Sequence, residues 1–206
     1  MATVDWALTT LARVKNRLGI KVADFDTLIE QIINSMTDWI EGQCGGRRFK
    51  ETTYANDSFD GSRPRERKRN LVFKNAPINS LTSFQYNIGL IGSPAWSDIF
   101  PEEYQLLDKE GMVYMSTGLP VGLRNIRVSY SAGYKIDFSH ETDTTKHALP
   151  FDVSNLAERL AVKEFKRRED VGKSGETVGD ATVNYFDHLE EEDKAVLSRY
   201  KRIILQ

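Results

Sequence analysis

Residues 24–42 read Asp24-Phe25-Asp26-Thr27-Leu28-Ile29-Glu30-Gln31-Ile32-Ile33-Asn34-Ser35-Met36-Thr37-Asp38-Trp39-Ile40-Glu41-Gly42. Phe25, Leu28, Ile29, Ile32, Ile33, Met36 and Ile40 recur at intervals of three and four, which puts them on one face of a helix. Gly42, Gly45 and Gly46 end it. Upstream, Val4, Leu8, Leu11, Val14 and Leu18 form a second such stripe. Thr3 or Asp5 is placed to cap its first turn, because a side-chain oxygen there accepts an orphan N–H. Gly19 stands where a helix turns left-handed at least cost. The chain thus opens with two amphipathic helices.

The helical period is lost after Arg48. Short runs rich in β-branched and aromatic residues predict strands at 49–55, 70–74, 81–86, 104–107, 113–116 and 125–130. Asp108-Lys109-Glu110-Gly111 reads as a hairpin turn, its glycine supplying the positive φ. Ile126, Val128 and Tyr130 alternate with Arg127 and Ser129, the period of a half-buried strand. Pro77, Pro94, Pro101 and Pro120 fall between the runs, where a missing N–H breaks no ladder. Residues 137–146 are polar and predict a loop.

Helical period then returns. Asp152 or Ser154 opens a third helix carrying Val153, Leu156, Leu160 and Phe165, with Lys163, Lys166, Arg167 and Arg168 toward the negative end of its dipole. Residues 172–179 read as a small, polar linker and 181–185 as a short extended piece. Asp187 opens the last helix, with Glu190 at the capping-box position. Leu189, Val196, Leu197, Tyr200, Ile203 and Ile204 supply its apolar face.

This order predicts an α+β fold: a small helical bundle built from the N- and C-terminal helices, with an inserted β-rich block. Its parts are an N-terminal helical half (1–48), the insertion (49–147) and a C-terminal half completing the bundle (148–206). Independent pieces would leave two-helix fragments with too little core.

Composition limits the function. The 206 residues carry 28 Lys+Arg against 30 Asp+Glu, a net charge of −2, which excludes a uniformly basic nucleic-acid binder. With 40% hydrophobic residues the chain has enough apolar matter for a core, so wholesale disorder is excluded. The single Cys44 leaves no disulfide framework. No apolar run reaches the ~18–20 residues of a bilayer span, and the first five residues do not read as a signal peptide. The expectation is a soluble, intracellular-type protein.

Catalytic arrangements are missing. Gly172-Lys173-Ser174 imitates the end of a phosphate loop, but Arg167 occupies the first glycine position and a helix precedes it where a strand is required. His140, Glu141, Asp143 and His147 share no helical face on which metal ligands could converge, so no metal and no cofactor are expected. His188 reads as a helix-start residue, and Cys44 as a small apolar residue at a helix end. The one unusual charge feature is Arg63, Arg65, Arg67, Lys68 and Arg69 against a single Glu66. Such density suits DNA phosphate or an acidic partner, although no interleaved aromatic offers base stacking.

Several short motifs occur in series. Cys44-Gly45-Gly46-Arg47-Arg48-Phe49 follows the second helix, and Asn75-Ala76-Pro77-Ile78-Asn79-Ser80-Leu81-Thr82-Ser83 starts a strand. Ile126-Arg127-Val128-Ser129-Tyr130-Ser131-Ala132-Gly133-Tyr134 closes the block. Leu149-Pro150 precedes a helix, and Thr177-Val178-Gly179-Asp180-Ala181-Thr182-Val183-Asn184-Tyr185 precedes the last one. As a series the chain resembles the head–tail connector (adaptor) proteins of long-tailed bacteriophages, with a β block larger than in compact connectors. The resemblance implies a non-enzymatic virion protein at the neck between head and tail, assembled in the host cytoplasm. It would form a homo-oligomeric ring of about twelve copies beneath the portal protein. That ring would extend the channel for genomic DNA and present a platform to the tail or a stopper protein. Within that frame, Leu197, Tyr200, Ile203 and Ile204 are expected to meet the portal. Arg63, Arg65, Arg67, Lys68 and Arg69 are expected to meet DNA or an acidic partner. The alternatives are a tail-completion or neck protein of the same virion and a nucleic-acid-binding module, with a small hydrolase last.

Overall fold

The computed structural model describes residues 2–90, 92–138, 148–168, 175–178, 181–184 and 189–201. It is a mixed α+β fold in which helices at both ends of the chain flank a β-rich block. Two compact units result. One takes the described residues within Met1–Gly46, Ile136–Glu141 and Leu149–Arg202, and the other those within Arg47–Lys135 and Thr142–Ala148.

The helical unit contains α1 (Leu11–Leu18), α2 (Asp26–Gln43), α3 (Phe151–Arg167) and α4 (Glu191–Tyr200). Val14, Ile29, Ile33, Ala161 and Phe165 are buried together, and Phe25 meets Phe165 edge-on at 5.6 Å. α1, α2 and α4 each pack on α3. The same unit holds a two-stranded hairpin, β8 (Gly175–Val178) with β9 (Ala181–Asn184). It replaces part of the expected linker 172–179, in line with the β-branched Thr177, Val178, Thr182 and Val183 of its sequence.

Three helical expectations are corrected. The first helix begins at Leu11, not near Thr3 or Asp5, and its cap is Thr10, whose hydroxyl accepts the Arg13 N–H at 3.3 Å. Leu8 stays outside because a side chain of α2 takes the backbone donor that a longer helix would use, and a second α2 side chain holds the Val4 N–H ahead of it. The Val4 N–H donates to Asn34 Oδ1 (2.9 Å) and the Leu8 N–H to Thr37 Oγ1 (3.2 Å). Leu28 is exposed, since the inward face of α2 is centred on Ile29, Ile33, Thr37 and Ile40, and one residue turns a helix by about 100°. The last helix is opened by Glu190, with Asp193 as its third residue; Asp187 lies outside the described residues. Gly19 does close α1 in the left-handed region (φ 73°), with the Gly19 and Ile20 N–H groups returning to Asn16 and Lys15.

The β unit holds a four-stranded antiparallel sheet in the order β1-β7-β3-β4, formed by β1 (Thr52–Phe59), β7 (Ile126–Ala132), β3 (Ile78–Asn87) and β4 (Trp96–Asp98). A second sheet, β2-β6-β5, joins β2 (Asn70–Val72), β6 (Met112–Tyr114) and β5 (Gln105–Leu107). The expected turn at Asp108–Gly111 connects β5 to β6, with Gly111 at φ 59°. β1 starts later than expected because Phe49 is buried ahead of it and Lys50 pairs with Tyr134 as an isolated bridge. β4 was not foreseen; three residues hold too little pattern to read.

Residues of both sheets share one core. Leu71, Phe73 and Val113 come from the small sheet and its flanks, and Ile78, Phe84, Ile126, Val128 and Tyr130 from the large one. Phe73 is its joint, with its ring centroid 4.6 Å from Tyr130 and 5.4 Å from Phe59. The Tyr130 hydroxyl donates to Asp57 Oδ2 at 3.1 Å, and burial followed by the Asp57 charge pushes its pKa above the usual tyrosine value. Replacing Phe73 with Ala removes a fully buried ring between the two sheets. The expected loss is about 3–5 kcal/mol, read as a lower urea midpoint in equilibrium unfolding.

Candidate functional site

Among the described residues no group of three or more His, Cys, Asp or Glu could hold a metal ion. All three histidines and Gly172-Lys173-Ser174 lie outside them. Cys44 is buried, its Sγ–H directed to the Leu197 carbonyl at 3.9 Å. No helix among these residues is long and apolar enough to cross a membrane. The surfaces left to consider are the basic loop and the last helix.

The basic loop leaves the large sheet after β1 and is fixed by backbone bonds to the segment that enters β7. Gly61 N–H donates to Gly122 O (2.9 Å), Ser62 N–H to Pro120 O (2.9 Å) and Gly122 N–H back to Ser62 O (3.1 Å). A Cβ on Gly61 would stand 1.8 Å from Pro120 O, so only glycine allows this approach. The buried Ser62 hydroxyl donates to Leu119 O (2.8 Å) and accepts the Lys68 N–H (3.1 Å). Further along, Leu119 N–H meets Lys68 O and Met115 N–H meets Arg69 O. Arg67 is committed to this frame, with Nε and Nη2 both donating to Thr117 O at 3.1 and 2.9 Å. Arg63, Arg65 and Arg69 project outward and Lys68 is half-buried. The structure therefore separates the five basic residues into one structural arginine and a set of outward cations.

α4 is held to α3 by charge as much as by apolar contact. Val196 and Leu197 are buried, and Asp193 has no exposed surface. Its carboxylate accepts from the Arg159 guanidinium and faces Lys163 Nζ at 3.4 Å. Lys163 also reaches Glu190 Oε1 at 2.7 Å, and Arg199 pairs with Asp152 at 3.2 Å. Burial works against the Lys163 ammonium, yet Glu190 and Asp193 together hold its pKa above the usual lysine value. The hydrogen bond from Lys163, and then its charge, hold the Glu190 carboxyl below its ordinary 4.5. Of the four residues expected to meet the portal, Leu197 is buried inside the unit. Tyr200 is half-buried, with its hydroxyl donating to Asp152 at 2.8 Å. Ile203 and Ile204 lie outside the described residues. Asp193 follows Glu190, Glu191 and Glu192 at the start of the helix, so its sequence position alone does not single it out. The usable signal was Arg159 and Lys163 one turn apart on one helix and Glu190 and Asp193 three apart on the other.

A sequence model of the head completion protein family matches residues 7–203, and the chain belongs to that family. Two solved structures share the fold. One is a chain in the neck of an empty gene transfer agent (GTA) particle computed with C6 symmetry. It is 14% identical with a TM-score of 0.59, over 100% of this chain and 95% of that one. The other, from the virion of the native gene transfer agent particle, is 13% identical with a TM-score of 0.58 and the same coverage. No curated protein matches the sequence.

Replacing Asp193 with Ala should destabilise the docking of α4 by about 2–4 kcal/mol, because two cations lose their shared counter-charge while keeping part of their hydration. Hydrogen exchange should then quicken in α4 and stay unchanged in β7. A depressed carboxylate pKa stabilises the folded state above its unfolded value and ceases to do so as pH falls through the folded one. Stability should therefore drop below about pH 4.5, and E190Q should flatten part of that drop in denaturation midpoints measured against pH.

Proposed function

We propose that the chain is a structural component of the neck, joining head to tail of a phage-like particle without catalysing a reaction. The family match over nearly the whole chain carries this reading. Several copies form a closed ring beneath the portal, extend the channel through which the genome passes and offer a platform to the tail or a stopper protein. The related neck structure computed with C6 symmetry supports a cyclic arrangement, and sixfold symmetry accommodates twelve copies as six pairs. The protein is assembled in the host cytoplasm and resides in the virion. A tail-completion role differs only in which side the ring docks.

The portal contact is assigned to the end of α4. Leu197 anchors the helix from inside and Tyr200 ties its last turn to Asp152, so Ile203 and Ile204 supply the contact beyond it. A second reading, a nucleic-acid-binding module, draws on the outward Arg63, Arg65 and Arg69 and is checked by a steep salt dependence of duplex DNA binding.

Ending the chain at Arg199 keeps the buried anchors Asp193, Val196 and Leu197, so the subunit should stay folded by circular dichroism. It should no longer co-sediment with portal rings. Undiminished co-sedimentation would remove the assignment of this end to the portal.

A further inference from the structure

The end of the large sheet that carries the basic loop also carries exposed aliphatic side chains. Phe59, Ile126 and Tyr86 stand level across β1, β7 and β3, and all three strands continue past that level into loops. The β7 side contributes Val121 and Leu123, 61% and 77% exposed, and the β3–β4 hairpin contributes Ile88 and Leu90, 63% and 80% exposed. These positions are built. Asn87 Oδ1 accepts the Gly89 and Ala95 N–H groups at 2.8 and 3.0 Å, and the Ile88 N–H donates to Ala95 O. Asp60 Oδ1 accepts the Arg124 N–H at 2.7 Å beside Leu123. The result is a set of exposed aliphatic side chains at the same end of the sheet as Arg63, Arg65 and Arg124, whose guanidiniums meet no carboxylate among the described residues.

The same unit carries a patch of opposite character. Phe100 is 61% exposed after the edge strand β4, and Glu102 and Glu103 follow it in a short turn. Glu103 Oε2 accepts the Phe100 N–H at 2.8 Å and so fixes the turn. The carboxylates of Glu102 and Glu103 meet no cation among the described residues. One chain thus offers aliphatic side chains with arginines at one place and an aromatic ring with carboxylates at another. A duplex DNA occupant would satisfy the arginines and leave four aliphatic side chains against phosphate or water.

We propose that the Ile88–Leu90–Val121–Leu123 set with Arg63, Arg65 and Arg124 docks on Phe100, Glu102 and Glu103 of a second copy of this chain. The contact is heterologous, since each copy gives one patch and receives the other, and a heterologous contact that closes makes a ring. It deepens the neck reading by naming the surfaces through which copies meet.

The test uses the full-length chain, alone and on portal rings. A chain with R65C mixed with one carrying E102C should be joined by a short bis-maleimide into a dimer that neither forms alone; Cys44 is buried. R63E/R65E and E102K/E103K should each weaken self-association at least about tenfold in sedimentation velocity, and the chain carrying all four should regain it. Leu90→Asp, at an exposed position, should weaken it without altering the circular dichroism spectrum. Absence of the cross-link both in solution and on portal rings overturns the proposal. So does self-association that ignores the charge reversals, or reversals that abolish duplex DNA binding and leave self-association intact. Portal binding of the four-fold variant separates the two claims. If the wild-type chain never joins portals but charge complementation holds, the neck reading alone fails; if it joins them and the reversals have no effect, this contact alone fails.

Discussion

Short amphipathic helices cannot stand by themselves in water, and this constraint organises the molecule. α1, α2 and α4 each bury a stripe against α3, whose buried residues Val153, Leu156, Leu160, Ala161 and Phe165 spread over more than one face. Segments more than a hundred residues apart in sequence must therefore meet. The described residues within Arg47–Lys135 fold as a separate unit whose entry and exit lie together. Lys50 pairs with Tyr134, and Glu51 N–H donates to Tyr134 O at 2.9 Å. Gly133, at φ 115°, lets the outgoing strand pass so close to Lys50 that a Cβ would stand 2.6 Å from its carbonyl oxygen.

Each unit then leaves a different kind of surface for partners. In the helical unit the last helix is fastened to α3 by the Asp193, Arg159 and Lys163 charges. An ionised carboxylate without exposed surface is tolerable only while those cations face it, so the helix has one position rather than several. In the β unit the loops at one end of the large sheet are pinned by backbone bonds, and the side chains they present are arginines and aliphatics. Rigid display of that kind suits repeated protein–protein contact, where ordering a loop on binding would cost affinity.

Much of this was legible in the sequence, for identifiable reasons. The stripe of α2, the glycine ending α1, the Asp108–Gly111 turn and the alternation of β7 are all set by local chemistry. The start of α1 was not, because Thr37 of α2 takes the Leu8 N–H that a helix beginning near Thr3 would have bonded to its own backbone. Leu28 fits the helical period and still faces outward, since periodicity gives a stripe but not its centre. The arginine cluster was visible as charge, yet the commitment of Arg67 to Thr117 and the exposed aliphatic side chains at the same end of the sheet as the other arginines arise from pairing between distant loops. Asp193 was hidden in an acidic run whose other members are exposed. Membership of the head completion family accords with the motif series, whose members from Cys44 to Tyr185 fall inside the family match over residues 7–203.

The proposed neck role has this protein joining a ring of its own copies to a particle's portal. The most direct measurement is the mass, in solution, of isolated portal rings before and after adding the intact 23.5 kDa chain. The account predicts a discrete heavier species carrying a fixed multiple of that mass. Portal rings of unchanged mass beside a chain that remains single would contradict it.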